Sequence, residues 1–534
     1  MATRLLIRGR RRARQRRMPL GTAPVLLSAV MSFAVFAGQE EAVHIDVGAT
    51  RLVGELTDGG RSEVYRGIPF AKPPVGDLRW LPPQPLPLPA GELQARNFRP
   101  ACAQEQHIID WYRSLVADFG GDSDSFPVPE ISEDCLYLNL WRPRSTAPEE
   151  RLPLLIYVHG GSSKAGWSYE PNYLGARLAE KGLVVASVAY RLGPLGFFSH
   201  PELDDANFAL LDLLAAVRWL REQAPALGID TQRITLMGES AGASNISQLL
   251  AMPDARGLFQ RVIHQSAGWA VWQGGLDREQ ELSTYERIGD AWPGRDGGLA
   301  ELRKVPASQL LAAVSAVLPA KAYDAVVDGA SMPADLPQQL RDGAVPAIDL
   351  LIGTNADEWL IYLAEDDSLQ SWRAEQADKA IADAMLKALP EGLTESVKLD
   401  RLTTAETFVC PSLDLAEYVR RKGGRSWAYY FSRVREGERG AAMGAYHGAE
   451  LPYVFDTHDD WLPTHSVDRE LTDTLLGYWS NFAMHGDPNG DGLPPWPAYA
   501  AEYGSVQVLD EQVRTAPHPS APLCNVMRSR PTQR

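Results

Sequence analysis

A succession of short apolar runs separated by helical patterns constrains this chain more than any other feature. The runs are Leu154–Val158, Leu183–Ala189, Ile234–Met237, Val262–His264, Leu350–Ile352 and Trp427–Phe431. They are rich in β-branched and other apolar residues and too short for helices, so they read as buried strands. Between two of them, Phe208–Gln223 places Leu210, Leu211, Leu214, Val217, Trp219 and Leu220 at helical spacing. Strands alternating with helices predict a mostly parallel, doubly wound central sheet with helices on both faces. Neither an internal repeat nor a low-complexity linker occurs after residue 40. Residues 42–534 are therefore read as a single α/β domain. Arg99–Ile131 and Trp269–Leu340 interrupt the alternation and are expected to be excursions that shape a pocket.

In an open parallel sheet, ligands gather at the carboxyl ends of the strands. The residues just past each run therefore matter. His159-Gly160-Gly161 comes after the first, and Gly238-Glu239-Ser240-Ala241-Gly242 after Ile234–Met237. Gly353-Thr354-Asn355-Ala356-Asp357-Glu358 begins just after Leu350–Ile352, and Gly444-Ala445-Tyr446-His447-Gly448 comes some way after the last run. A glycine turn, a serine, a carboxylate and an imidazole thus arrive at one edge.

The G-x-S-x-G pattern is weak alone. Its setting strengthens it, because a tight strand-to-helix turn needs small neighbours, and Ala241, Gly242 and Ala243 supply them. A serine hydroxyl needs an imidazole to take its proton and an acid to orient that imidazole. In this design the chain order is serine, acid, histidine. His447, in a glycine-flanked loop, is the candidate base, and His485 is its main competitor. His458, His465 and His518 sit in polar or proline-rich stretches and are assigned to the surface. Asp357 and Glu358 both stand just past a strand, and residue type does not choose between them. The N–H groups of Gly161, Ser162 and Ala241 are candidates to hold an oxyanion. Ser266 is expected to be a hydrogen-bond partner behind the nucleophile. Trp167, Trp269, Trp272, Trp359 and Tyr362 are candidate pocket residues.

The net charge of −16 includes eight arginines and no acid within residues 1–37. The remaining chain is more acidic still, which disfavours nucleic acid as a partner. Arg4 to Arg17 form a basic stretch and Pro24 to Ala37 an apolar run, too short to span a bilayer comfortably. Residues 1–37 therefore read as a signal segment. Export is the resulting expectation, secreted or periplasmic, with cleavage near Val35-Phe36-Ala37 and no integral membrane segment in the mature chain. Four cysteines, Cys102, Cys135, Cys410 and Cys524, suit two disulfides in an exported protein. None forms C-x-x-C, so no metal site is expected.

At this point the motifs resemble the type-B carboxylesterase and cholinesterase family. Val64-Tyr65-Arg66-Gly67-Ile68-Pro69-Phe70-Ala71, Pro73–Arg79, Ser132–Leu140, Gly238–Gly242, Gly353–Glu358, His447 to Phe455 and Gly486-Asp487-Pro488-Asn489 occur in the family's order. The resemblance implies an α/β-hydrolase fold and hydrolysis of small-molecule carboxylic esters without a cofactor. It implies Glu358 as the acid, His447 as the base, and Glu239 as an acid bearing on the site's electrostatics. It also implies disulfides Cys102–Cys135, closing a loop over the pocket entrance, and Cys410–Cys524. Arg79 with Glu133 and Arg191 with Asp212 are implied as structural ion pairs. The chain departs from the pattern at Ser162, where a third glycine is usual, and at Ser163-Lys164-Ala165. The tryptophan that cholinesterases carry before the second cysteine is replaced by Ser125 and Phe126, so choline esters gain little support. The same residues could cleave a carbamate, amide or lactone. A non-catalytic relative would typically lack a member of the triad.

Overall fold

The apolar runs become the centre of a thirteen-stranded sheet. A computed structural model describes residues 42–529 except 58, 145–149, 290–297, 320 and 501–503. The strands are β1 Ala42–Val47, β2 Thr50–Leu56, β3 Ser62–Pro69, β4 Gly91–Gln94, β5 Tyr137–Pro143, β6 Leu152–Val158 and β7 Val184–Val188. They continue with β8 Ile229–Glu239, β9 Arg261–Gln265, β10 Asp349–Asn355, β11 Ser426–Phe431, β12 Ser505–Leu509 and β13 Arg514–Pro517. The lateral order is β1-β2-β3-β5-β7-β6-β8-β9-β10-β11-β12-β13, with β4 beside β2.

From β7 to β12 every neighbouring pair is parallel. The path strands outside this block pair antiparallel. Sequence reading found the parallel centre and missed these flanks. The centre is legible because it is buried on both faces: every residue of β6, β7 and β11 is buried. Its register decides where the loops emerge. Val158 pairs with Gly238, Glu239 with Gln265, and Gln265 with Gly353. Four consecutive strands therefore end nearly level, and their loops open onto one edge.

Five helices matter for the site: α1 His107–Asp118, α2 Phe208–Glu222, α3 Ala241–Ala251, α4 Cys410–Arg421 and α5 Ser466–His485. The helix expected at Phe208–Gln223 is α2, and Gln223 is its cap residue. Both expected disulfides are present, Cys102–Cys135 and Cys410–Cys524. Both ion pairs form as well. Arg79 grips Glu133 at 2.6 and 2.7 Å, and also donates to the carbonyls of Leu302 and Val305. Arg191 holds Asp212 at 2.7 Å through two nitrogens. Both pairs are bidentate; Arg191–Asp212 is buried on both sides and Arg79 faces a half-buried Glu133, so removing either acid would strand a buried arginine.

The described residues form one compact unit. The signal segment expected at 1–37 lies outside the described residues. Among the described residues no helix is long and apolar enough to cross a membrane.

Candidate active site

Ser240 stands between the end of β8 and the first residue of α3, with φ 54° and ψ −129°. A non-glycine residue at such angles stores about 1–3 kcal/mol of strain, which the surrounding packing must over-determine. The flanking backbone does so. A Cβ on Gly242 would lie 2.1 Å from the carbonyl oxygen of Val158, so only glycine lets α3 pack this closely on β6. The Ser240 N–H donates to the Gln265 carbonyl at 2.9 Å, tying the turn to β9.

His447 Nε2 lies 2.8 Å from Ser240 Oγ. His447 Nδ1 lies 2.6 Å from Glu358 Oε2. Glu358 is fully buried, and its other oxygen accepts the Asn355 N–H at 2.6 Å. The histidine loop is pinned to the end of β10. Asn355 donates to the Tyr446 carbonyl, and Asp357 exchanges backbone and side-chain hydrogen bonds with Ala445. Asp357, the rival carboxylate, faces this loop and Arg401 at 3.2 Å rather than the imidazole. Successive residues past a strand end point opposite ways, and that alternation separates the two acids.

Two carboxylates act on the imidazole. Burial disfavours its charged form, but Glu239 and Glu358 outweigh this and hold His447 up at about 9. Glu239 Oε1 comes within 3.2 Å of the same Nε2. That nitrogen is committed to Ser240, so Glu239 acts through charge and its Oε1 makes no hydrogen bond. Burial pushes Glu239 up to about 8, while His447 pulls it the other way. Glu450 lies behind, accepting from Gln265 at 2.8 Å and Asn355 at 2.6 Å.

The loop after β6 brings Gly161 and Ser162 to the pocket wall beside Ser240. Among the described residues neither N–H meets an acceptor. Ser162 and Ser163 both take left-handed angles, φ 57° and 55°. Serine carries a cost there of about 1–2 kcal/mol that glycine escapes. Ala241 begins α3, so its N–H belongs to the open amino end of that helix.

Residues 39–527 match the carboxylesterase family. The chain belongs to that family. It is 30% identical over 472 residues to para-nitrobenzyl esterase of Bacillus subtilis (strain 168), covering 84% of this chain and 91% of that one. It is 31% identical over 492 residues to fumonisin B1 esterase of Sphingopyxis macrogoltabida, covering 85% and 84%. The solved structure of a PNB esterase superposes with a TM-score of 0.77 at 28% identity, over 91% of this chain and 99% of that one. The fold is that of the α/β-hydrolases.

A cavity of about 250 Å³ opens on Ser240 in this family member. Of the five aromatic residues expected to line it, only Tyr362 does. Trp167 is buried behind Tyr112 and Phe126, 6.5 and 6.2 Å between ring centres. Trp269 and Trp359 pack around Phe408, and Trp272 donates to Asp414 at 2.9 Å. The wall is built instead by α1, through Ile108, Trp111, Tyr112 and Leu115, with Trp461 and Leu462. The 3–4 spacing of those α1 residues was the available signal. Of the two excursions, Arg99–Ile131 shapes the pocket, through α1. No described residue of 269–340 lines it; that stretch builds a separate apolar cluster around Trp80, Phe198 and Phe208.

Three further expectations are corrected. Ser266 is fully buried, but its hydroxyl finds no hydrogen-bond partner, so the expected contact behind the nucleophile is not made. His518 is not a surface residue, and His458 is half-buried. His518 is buried against Tyr430, and His458 is held between Arg435 and Thr472. His485, the competing base, is exposed at the end of α5. Sequence reasoning also missed Phe408. It lies on a π-helical turn, Ala405–Val409, and its ring centre is 5.4 Å from that of His447.

Proposed function

We propose that this carboxylic ester hydrolase works through an acyl-enzyme, with Ser240 as nucleophile, His447 as proton carrier and Glu358 as its orienting acid. The observation that carries this reading is the unbroken chain of contacts, 2.8 Å from Ser240 to His447 and 2.6 Å from His447 to Glu358. Nε2 removes the hydroxyl proton as Oγ attacks the ester carbonyl. Glu358 accepts from Nδ1 and stabilises the imidazolium that forms. The N–H groups of Gly161, Ser162 and Ala241 hold the oxygen that becomes negative. The imidazolium returns its proton to the departing alcohol, leaving an acyl group on Oγ. Water then attacks by the same route, giving its proton to Nε2, and the acid leaves as Oγ is reprotonated. Every proton transfer in this scheme has a side chain to carry it.

Residues 42–534 act as a single catalytic domain in this reading. The two disulfides suit an oxidising compartment, and with the basic and apolar segments before residue 38 they support export. The names of the relatives point to a panel of aryl, benzyl and alkyl esters. A pre-steady-state burst of 4-nitrophenol from 4-nitrophenyl acetate, with an acetyl adduct on the Ser240 peptide, is expected. Turnover without an adduct on that peptide would reject the scheme.

A further inference from the structure

Ester cleavage leaves one buried group of the pocket without a task. Glu170 lines the cavity and is 4% exposed. It accepts the Trp167 N–H at 3.0 Å through Oε1 and the Tyr112 hydroxyl through Oε2. Asn172 in turn donates to the Tyr112 oxygen at 3.1 Å. The groups that favour its charge are the hydroxyls of Tyr112 and Tyr173 and the Trp167 N–H, none of them cationic. Burial pushes its carboxyl up to about 7.

A buried carboxylate without a cation is costly, and one beside a cavity is a candidate for function. A glutamine would remove the charge and leave one oxygen to accept where Glu170 uses two. Glu170 also adds to the cost of charge on Glu239. Asp459 is a third acid on the wall, and no lysine or arginine lines the cavity. The remaining surface presents rings, among them Trp111, Tyr112, Phe126 and Tyr173. Glu239 has the His447 imidazole at 3.2 Å, but among the described residues no cation touches Glu170, which sits among aromatic faces and describes a subsite whose missing cation arrives with the ligand.

We propose that Glu170, with Tyr112 and Asn172 beside it, is the subsite for a protonated amine, and that esters bearing a primary or secondary ammonium group are preferred substrates. The proposal rests on the reading that Ser240 cleaves esters. An N–H of such an ammonium group donates to a free lone pair of the carboxylate, and the rings face the rest of the cation. A quaternary ammonium has no N–H to give and gains less. An ester carrying a carboxylate is repelled.

The test uses competitive inhibition of 4-nitrophenyl acetate hydrolysis by n-pentylammonium, n-pentyltrimethylammonium, n-pentanol and n-pentanoate. In the unmodified chain pentylammonium should bind roughly tenfold or more tighter than pentanol, the scale of a hydrogen bond to a charged group. Pentyltrimethylammonium should fall between them, and pentanoate should be weakest. Glu170→Gln should bring the ammonium-to-alcohol ratio toward one. Tyr112→Phe removes a hydroxyl that favours the charge, so it should lower the ratio at neutral pH and recover it as the pH rises, as Glu170→Gln should not. Equal inhibition by pentylammonium and pentanol in the unmodified chain overturns the proposal, even if Glu170→Gln fails to fold. A ratio that survives in a folded Glu170→Gln also overturns it. Calorimetric binding of pentylammonium by a chain that cleaves no ester would support the subsite while removing the ester-cleavage reading.

Discussion

The reacting edge and the pocket wall of this protein are built in different ways. At the edge, Ser240, Glu358 and His447 hang from a parallel sheet whose strand ends are locked level by register. The wall is set by α1, which lies in the loop closed by Cys102–Cys135 and reaches the cavity mainly through packed side chains, with the Tyr112 hydroxyl bonded to Glu170. On the proposed mechanism, chemistry is a property of the sheet, whereas selectivity belongs to an excursion attached to it.

The comparison breaks hardest at the edge. His447→Gln should lower kcat by roughly 10⁴-fold or more, the scale of losing a triad member. Steady-state turnover of a 4-nitrophenyl ester measures it. A loss under tenfold would shift the role of base to another group.

The wall should respond differently. Replacing Cys102 and Cys135 together by serine should lower stability by about 2–4 kcal/mol, read from chemical denaturation. On the proposed reading the wall binds and the edge reacts, so KM should rise more than kcat falls. An equal loss in both would mean that the two regions are not separable.

A smaller change sharpens the electrostatics of the edge. Glu239 helps hold His447 above its ordinary value, and the neutral imidazole, the base in the proposed mechanism, prevails only above the raised value of about 9. Activity should therefore rise with pH. Glu239→Gln removes a carboxylate, lowers the imidazole's affinity for its proton and moves the rise to lower pH. A pH profile of kcat/KM that stays put, or moves upward, would contradict this. The smallest effect concerns strain. Ser162→Gly should relieve a left-handed serine and stabilise the chain by about 1 kcal/mol, seen as a modest rise in Tm.

The same division explains which features are legible in the sequence. The parallel strands are legible because burial on both faces leaves continuous apolar runs, and their ends carry short-range patterns around Ser240 and His447. Residue type could not separate Asp357 from Glu358. That choice depends on which side of the β10 end each acid faces, and on the Arg401 and Ala445 contacts that occupy Asp357. The Ser266 expectation failed because standing just past a strand does not ensure a partner for the hydroxyl. The pocket residues were misjudged most. Trp167, Trp269, Trp272 and Trp359 pack away from the cavity, because large rings fill cores as readily as walls. Position on α1 decided the lining, and that position comes from a disulfide and long-range packing.

Reaction with a fluorophosphonate, followed by mapping of the modified peptide, probes the central juxtaposition most directly. The account predicts one adduct, on the oxygen of residue 240, abolished in Ser240→Ala and slowed by orders of magnitude in His447→Gln. An adduct elsewhere, or undiminished labelling in the histidine variant, would contradict it.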